Sequence, residues 1–159
     1  MSYVTVFGLL CLAVSIQTEL TTKTPYIITV KTGTKFAAGT DATVFMKLNG
    51  LKGTTSKVVI EDKNATYFEM NCADHFIIMD DDVGQITSIE IGHDNSGIGP
   101  GWFLDNVEVA QVIGVYDNIT EVPSLIKTRF DLQEWIPKDE KSKKLVKIIT
   151  ATSTETKPI

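Results

Sequence analysis

Apolar and polar residues alternate with a period of two in one short segment after another. Tyr26, Ile28 and Val30 alternate with Ile27, Thr29 and Lys31, and Val44, Met46 and Leu48 with Thr43, Phe45 and Lys47. The same texture recurs at 57–61, 66–70, 75–79, 85–91, 102–112, 125–130 and 145–150. Turn chemistry separates these runs: Asn49-Gly50-Leu51-Lys52-Gly53, Asp62-Lys63-Asn64 and Asp80-Asp81-Asp82-Val83-Gly84. Before residue 120 no segment keeps a helical period. Short strands at this spacing predict an all-β antiparallel sandwich or barrel. The domain spans 25–150, after a polar lead at 19–24. A polar tail closes the chain at 151–159.

The first 18 residues have a different texture. Val4 to Ile16 is apolar except for Thr5, Gly8 and Ser15. A membrane-spanning helix needs about 20 apolar residues, so this run is too short to cross. Ala13-Val14-Ser15 provides small residues at a cleavage spacing, and 1–18 reads as a secretory signal peptide. No Lys or Arg precedes Lys23, which leaves an uncleaved anchor or a cytosolic start as the alternatives. Asn64-Ala65-Thr66 and Asn118-Ile119-Thr120 match the N-glycosylation pattern and agree with an extracellular, secreted chain. Removal of the leader takes Cys11 and leaves Cys72 without an internal disulfide partner; it reads as a buried small apolar residue at a strand start.

Charge narrows the function classes. The formal net charge is -5 over 159 residues. That argues against a nucleic-acid binder, which needs a basic face, and against unaided capture by anionic lipid. No Gly-x-Ser-x-Gly elbow, His-Glu-x-x-His helix or phosphate-binding glycine loop is present. His75 and His93 are the only histidines and read as packing residues. The expectation is a non-catalytic binding module without a small-molecule substrate.

Two loops hold the rest of the signal. One is Thr32-Gly33-Thr34-Lys35-Phe36-Ala37-Ala38-Gly39-Thr40-Asp41-Ala42. The other runs Gly92-His93-Asp94-Asn95-Ser96-Gly97-Ile98-Gly99-Pro100-Gly101-Trp102-Phe103-Leu104-Asp105. With the Gly50/Gly53 turn and Asp82-Val83-Gly84-Gln85-Ile86, their order and spacing resemble the PLAT domain family (polycystin, lipoxygenase, alpha-toxin). Arg129-Phe130-Asp131-Leu132-Gln133-Glu134-Trp135-Ile136 looks like the family's closing element. The resemblance implies an eight-stranded β-sandwich of two four-stranded sheets. It implies docking on membrane lipid or a lipid-associated partner, often with calcium, and no catalytic residue. The alternative function is a secreted protein–protein adaptor using the same sandwich as scaffold.

The resemblance also implies that the two loops share one end. Asp41 and Asp94 then offer carboxylates, Asn95 an amide oxygen, and Gly33, Gly39 and Thr40 backbone carbonyls, a set suited to calcium. Thr34 stands where many members have an acidic residue, which weakens the site. Asp41 and Asp94 are equally suited to capping turns. Phe36 and Ile98 would stand exposed beside the cation as membrane or partner contacts, unless Phe36 folds back on its own loop. Asp80-Asp81-Asp82 reads as a solvated turn, Trp102 and Trp135 as core, and Lys138, Lys141, Lys143, Lys144 and Lys147 as a solvated basic face.

Overall fold

The computed structural model describes residues 23–60, 66–113, 124–137 and 145–158. The leader, Asn64, Asn118 and the lysines of 138–144 lie outside these residues. Nine strands are described: β1 Thr24–Thr32, β2 Val44–Gly50, β3 Val58–Ile60, β4 Ala73–Asp80, β5 Ile86–His93, β6 Trp102–Ile113, β7 Ser124–Ile136, β8 Val146–Thr150 and β9 Ser153–Pro158. They form two antiparallel sheets, ordered β4-β1-β6-β7-β9 and β3-β2-β5-β8. The family resemblance implies four strands in each sheet. The fifth strand of the larger sheet comes from the expected polar tail, which pairs with β7 from Ser153↔Arg129 to Ser124↔Pro158. Its residues are polar because it is an edge; charges such as Glu155 and Lys157 guard an edge against further pairing.

One face of each sheet is buried, as the alternation requires. Tyr26, Ile28 and Val30 of β1 meet Val44, Met46 and Leu48 of β2 and Ile89 and Ile91 of β5 in one core that includes Trp102, Val107, Val109 and Phe130. Each such side chain contributes about 1.5–3 kcal/mol by leaving water. Along one open side, Lys147 Nζ reaches across from β8 to Glu134 Oε2 of β7 at 2.8 Å.

The expected strand at 66–70 is instead a turn. Phe68 and Asn71 both adopt left-handed backbone, φ 59° and 64°, which breaks any ladder. The hydrophobic run there still has a packing purpose: Phe68 is buried, with its ring 5.1 Å from Trp102 and 5.8 Å from Phe76.

The start of β1 marks one end of the sandwich. There Asp80, Asp81 and Asp82 are each engaged, with Lys23 lying against both Asp80 (3.8 Å) and Asp81. Asp80 Oδ2 accepts the Ser56 N–H, Asp81 pairs with Lys23 at 2.7 Å, and Asp82 pairs with Lys52. The three carboxylates do not converge, in line with the turn reading. The fully buried Tyr26 ties this turn down: its hydroxyl donates to the Asp81 carbonyl (2.8 Å) and accepts the Val83 N–H (3.0 Å).

Replacing Tyr26 by Phe strands both backbone groups at the sandwich end. The expected loss is about 1–3 kcal/mol, read by urea unfolding; an unchanged midpoint would remove this hydroxyl from the account of stability.

Candidate functional site

The opposite end of the sandwich is built from chain segments far apart in sequence. β1 stops at Thr32 and the chain makes a loop from 33 to 43 before β2. β5 stops at His93 and the chain loops from 94 to 101 before β6. The turn 66–72 before β4 arrives at the same end, because Thr32 N–H donates to the Cys72 carbonyl (3.0 Å) and Asn71 N–H to the Gly33 carbonyl (2.9 Å). Cys72, expected to be buried, is exposed, because it ends this surface turn before β4 begins.

The two loops are joined by hydrogen bonds in both directions. Asp41 N–H donates to the Gly99 carbonyl (3.3 Å), and Asp41 Oδ2 accepts the Gly99 N–H (3.2 Å). The Thr40 hydroxyl donates to the Pro100 carbonyl (2.9 Å) and accepts the Ala42 N–H (3.1 Å). Asp94 N–H donates to the Thr43 carbonyl (3.1 Å), and Asp94 Oδ1 accepts N–H groups from Thr43 (3.0 Å) and Ser96 (2.9 Å). Gly97 permits this approach. Its φ is 78°, and a Cβ there would stand 2.7 Å from the Asp41 carbonyl oxygen.

His93 anchors the second loop from beneath. Its buried ring accepts the Asn95 N–H at Nδ1 (3.2 Å), so Nε2 carries the proton and donates to the Ile136 carbonyl (3.3 Å). Burial holds its pKa below the ordinary histidine value, so the ring is neutral. Asn95 itself is left-handed, φ 63°, and its Oδ1 is shut from solvent without a hydrogen-bond partner.

Sequence-predicted residues fall into two groups here. Thr40, Asp41, Asp94 and Asn95 lie on the joined loops. Gly33 and Gly39 serve the 66–72 turn: Gly33 sits beneath the Phe103 ring, and a Cβ on Gly39 would stand 2.9 Å from the Phe68 carbonyl. Phe36 does not fold back; Phe36 and Ile98 are each 94% exposed. Beside Phe36 lies a cleft of about 500 Å³ walled by Phe36, Met70, Pro100 and Trp135, with Asp41 and Glu69 as its charged groups.

Trp135 departs from the core placement expected for it. It is 39% exposed, because it lies opposite Phe103 in the ladder while its neighbour Ile136 faces inward opposite Trp102. Its ring meets Phe103 edge-on at 5.5 Å, and Lys35 Nζ sits 4.1 Å over Phe103. The signal for Trp135 was the alternation itself, since adjacent residues of a strand cannot both face the core. Met70 and Glu69 carried no such signal, because the turn that presents them was expected as a strand.

A family model described as PLAT/LH2 domain matches residues 26–149. The chain belongs to the PLAT/LH2 domain family. Lipoxygenase homology domain-containing protein 1 of Homo sapiens is 36% identical over 120 residues, covering 74% of this chain, and the Mus musculus protein is 36% identical over 138 residues, covering 83%. This chain spans only 5% and 6% of those two proteins. Polycystin family receptor for egg jelly of Mus musculus is 33% identical over 53% of this chain, which spans 4% of it. Among solved structures, a calcium-dependent 11R-lipoxygenase matches 80% of this chain at 26% identity with a TM-score of 0.59, over 17% of its own length. Coral 8R-lipoxygenase matches 80% at 24% identity with a TM-score of 0.64, again over 17%. The latter likeness is one of fold.

The PLAT/LH2 loop end suits a hard cation in kind but not in number. Its candidate donors are all oxygens, and the unpartnered Asn95 Oδ1 is one of them. Yet Asp41 and Asp94 each commit one carboxylate oxygen to backbone N–H groups. Among the described residues no three His, Cys, Asp or Glu side chains converge. So few carboxylates are a poor match to the six to eight oxygens that calcium takes.

Asp94 makes the loop end pH-dependent. The Ser96 hydroxyl foremost, then the Ser96 and Thr43 amides, outweigh partial burial and hold its carboxyl below the ordinary 3.8. A carboxyl lowered on folding stabilises fully above its unfolded value and loses that contribution as pH falls through the folded one. The Thr43 and Ser96 amides are therefore expected to stay protected from hydrogen exchange above about pH 4, and to open as acid titrates Asp94. In Asp94→Asn this acid step is absent; an identical acid step in the variant would place the titrating group elsewhere.

Proposed function

We propose that this PLAT/LH2 domain is a non-catalytic module that docks on membrane lipid through the loop end, with calcium as a weak assistant. The observation that carries the reading is the pairing of Phe36 and Ile98. Two large apolar side chains stand almost wholly in water at one end of the sandwich. Each projects from a loop that hydrogen bonds pin to the other, so neither has to be ordered on binding. Exposed apolar groups clustered on a rigid tip favour an apolar acceptor. Each gains about 1–2 kcal/mol on insertion, which gives a reversible attachment.

Calcium enters through Asp41, Asp94 and Asn95. Bound there, it would offset local negative charge and bridge loop oxygens to lipid phosphate. The 11R-lipoxygenase of the same fold is calcium-dependent, which supports a calcium role here. The short apolar leader and the acceptor triplets at Asn64 and Asn118 support a secreted location, where millimolar calcium would fill a weak site.

A protein partner is the second reading, and a different surface favours it. On the outer face of β1 and β4, Ile27 pairs with Ile77 in the ladder, and Met79 lies two residues along from Ile77. Ile77 is 69% exposed. An adaptor would use this face and leave the loop tip idle.

Co-sedimentation with phosphatidylcholine vesicles separates the two. The wild-type chain is expected to pellet, more strongly with calcium than with chelator. The double variant Phe36→Ser/Ile98→Ser should lose about tenfold or more in vesicle affinity while keeping its unfolding midpoint. Vesicle binding unchanged by the double substitution would reject the tip; no pelleting of the wild-type chain with or without calcium would favour the adaptor.

A further inference from the structure

Each sheet ends in two edge strands, and among the described residues the four edges are not alike. β3 is three residues long. β8 is tied to β7 by the Lys147–Glu134 ion pair (2.8 Å). β9 carries Glu155 and Lys157, themselves paired at 3.5 Å. Short length and charge both discourage pairing with another chain. β4 has neither protection. It is eight residues long, and its ladder against β1 runs without a register shift from Thr24↔Asp80 to Lys31↔Ala73. Its stretch His75-Phe76-Ile77-Ile78-Met79 carries no Asp, Glu, Lys, Arg, Pro or Gly. A long, flat, apolar edge is a template for another strand.

The edge is complementary to itself. When two copies of β4 meet antiparallel about a two-fold axis at Ile77, Ile77 lies opposite itself, His75 opposite Met79 and Phe76 opposite Ile78. Phe76 and Ile78 pack against the core yet are only partly buried, and a second strand covers them. On the outer face Ile77 is 69% and Met79 58% exposed. With Ile27 beside Ile77 in the ladder, the two copies join these side chains into one apolar group across the axis. Charge agrees at the ends. Lys31 lies opposite Ala73, and this register sets Ala73 opposite the second copy's exposed Asp81. One lysine thus stands against one aspartate at each end, across the small side chain of Ala73. The register also sets Asp74 opposite Asp80, but each is already engaged within its own chain. Asp74 Oδ2 accepts the Phe68 N–H (2.9 Å), and the Asp80 carboxylate accepts the Ser56 (3.0 Å) and Asp81 (2.7 Å) N–H groups.

We propose that β4 is a self-association surface: it pairs with β4 of a second copy of this chain, so that the larger sheet continues through both. Eight residues at about 3.4 Å each give a contact roughly 27 Å long. A single strand pair is smaller than the standard interface of about 800 Å² per partner, so the dimer is a reversible one. Its geometry has a consequence for docking, which rests on the membrane reading. β4 starts at the loop end and finishes at the Asp80–Asp82 turn, so antiparallel pairing sends the two loop ends to opposite poles. A dimer then tethers two vesicles, where a monomer coats one.

Sedimentation velocity of the purified chain without lipid, over roughly 1–500 µM as a small interface requires, tests the pairing. A reversible monomer–dimer equilibrium is expected. Ile77→Lys and Ile77→Glu each set like charges against each other at the axis, and each should weaken association about tenfold or more. Because Ile77 is exposed, both variants should keep the wild-type unfolding midpoint. Mixing the two sets lysine against glutamate and should restore dimers, a result no unfolded variant could give. A wild-type chain that stays monomeric throughout would overturn the proposal, as would a dimer indifferent to both variants. Variants that stay monomeric when mixed would overturn the register centred on Ile77. With calcium and phosphatidylcholine vesicles, the wild type should raise turbidity, and Ile77→Lys should bind without doing so. Dimers that bind vesicles and leave them dispersed would overturn the opposite-pole arrangement. Dimers that attach to no vesicle would reject the membrane reading and leave the pairing standing.

Discussion

The joint between residues 32–43 and 93–104 is the constraint on which the loop end depends. Strand pairing brings the ends of β1 and β6 together, and the joint extends that contact beyond the sheet. The Gly33 N–H donates to the Phe103 carbonyl and the Phe103 N–H to the Ala38 carbonyl, both at 2.9 Å. Below them, the indole N–H of fully buried Trp102 donates to the Thr32 hydroxyl at 3.0 Å. The loop therefore starts from a satisfied polar pair inside the core, and a buried polar pair fixes geometry because leaving it unmade is costly. Asp41, Asp94 and Thr40 continue the joint outward. Phe36 and Ile98 stand in water because the backbone beneath them is fully employed.

This arrangement separates two tasks that a flexible loop would mix. The carboxylates of Asp41 and Asp94 work structurally even without a cation, since each accepts backbone N–H groups. A cation at the proposed site would find the geometry already ordered. The apolar side chains, by contrast, do nothing for the fold. A tip of this kind pays little conformational entropy on docking, and it remains intact when calcium is absent. The opposite end of the sandwich shows the contrast: Asp80, Asp81 and Asp82 are as acidic as the loop end but are each neutralised or hydrogen-bonded by a lysine or a backbone amide. They close a turn and present no shared surface.

Much of the fold was legible as alternation, because a sandwich buries one face of every inner strand. β1, β2, β5 and β6 follow directly from their apolar positions. β9 was not legible, since Ser153-Thr154-Glu155-Thr156-Lys157 carries no apolar face; its place is set by backbone bonds to β7, which leave no trace in hydropathy. The 66–70 run misled for the converse reason: Tyr67, Phe68 and Met70 are apolar, but positive φ at Phe68 makes them a turn that packs. At the site, glycine-bounded loops announced Asp41, Asp94, Phe36 and Ile98. The third wall, Glu69 and Met70 with Trp135, depends on long-range packing that no local pattern encodes.

The central claim is that the loop end, and no other surface, enters the membrane. Depth measurement by site-directed spin labelling tests it most directly. Cys11 and Cys72 are replaced by Ser, and single labels are placed at positions 36, 98, 51 and 77 for power-saturation measurements on phosphatidylcholine vesicles. Leu51 marks the opposite end and Ile77 the outer sheet face, and both are exposed. The account predicts that labels at 36 and 98 reach the acyl boundary together while those at 51 and 77 remain in water. Burial of the label at 77 or 51, with 36 and 98 still accessible to aqueous relaxant, would contradict it.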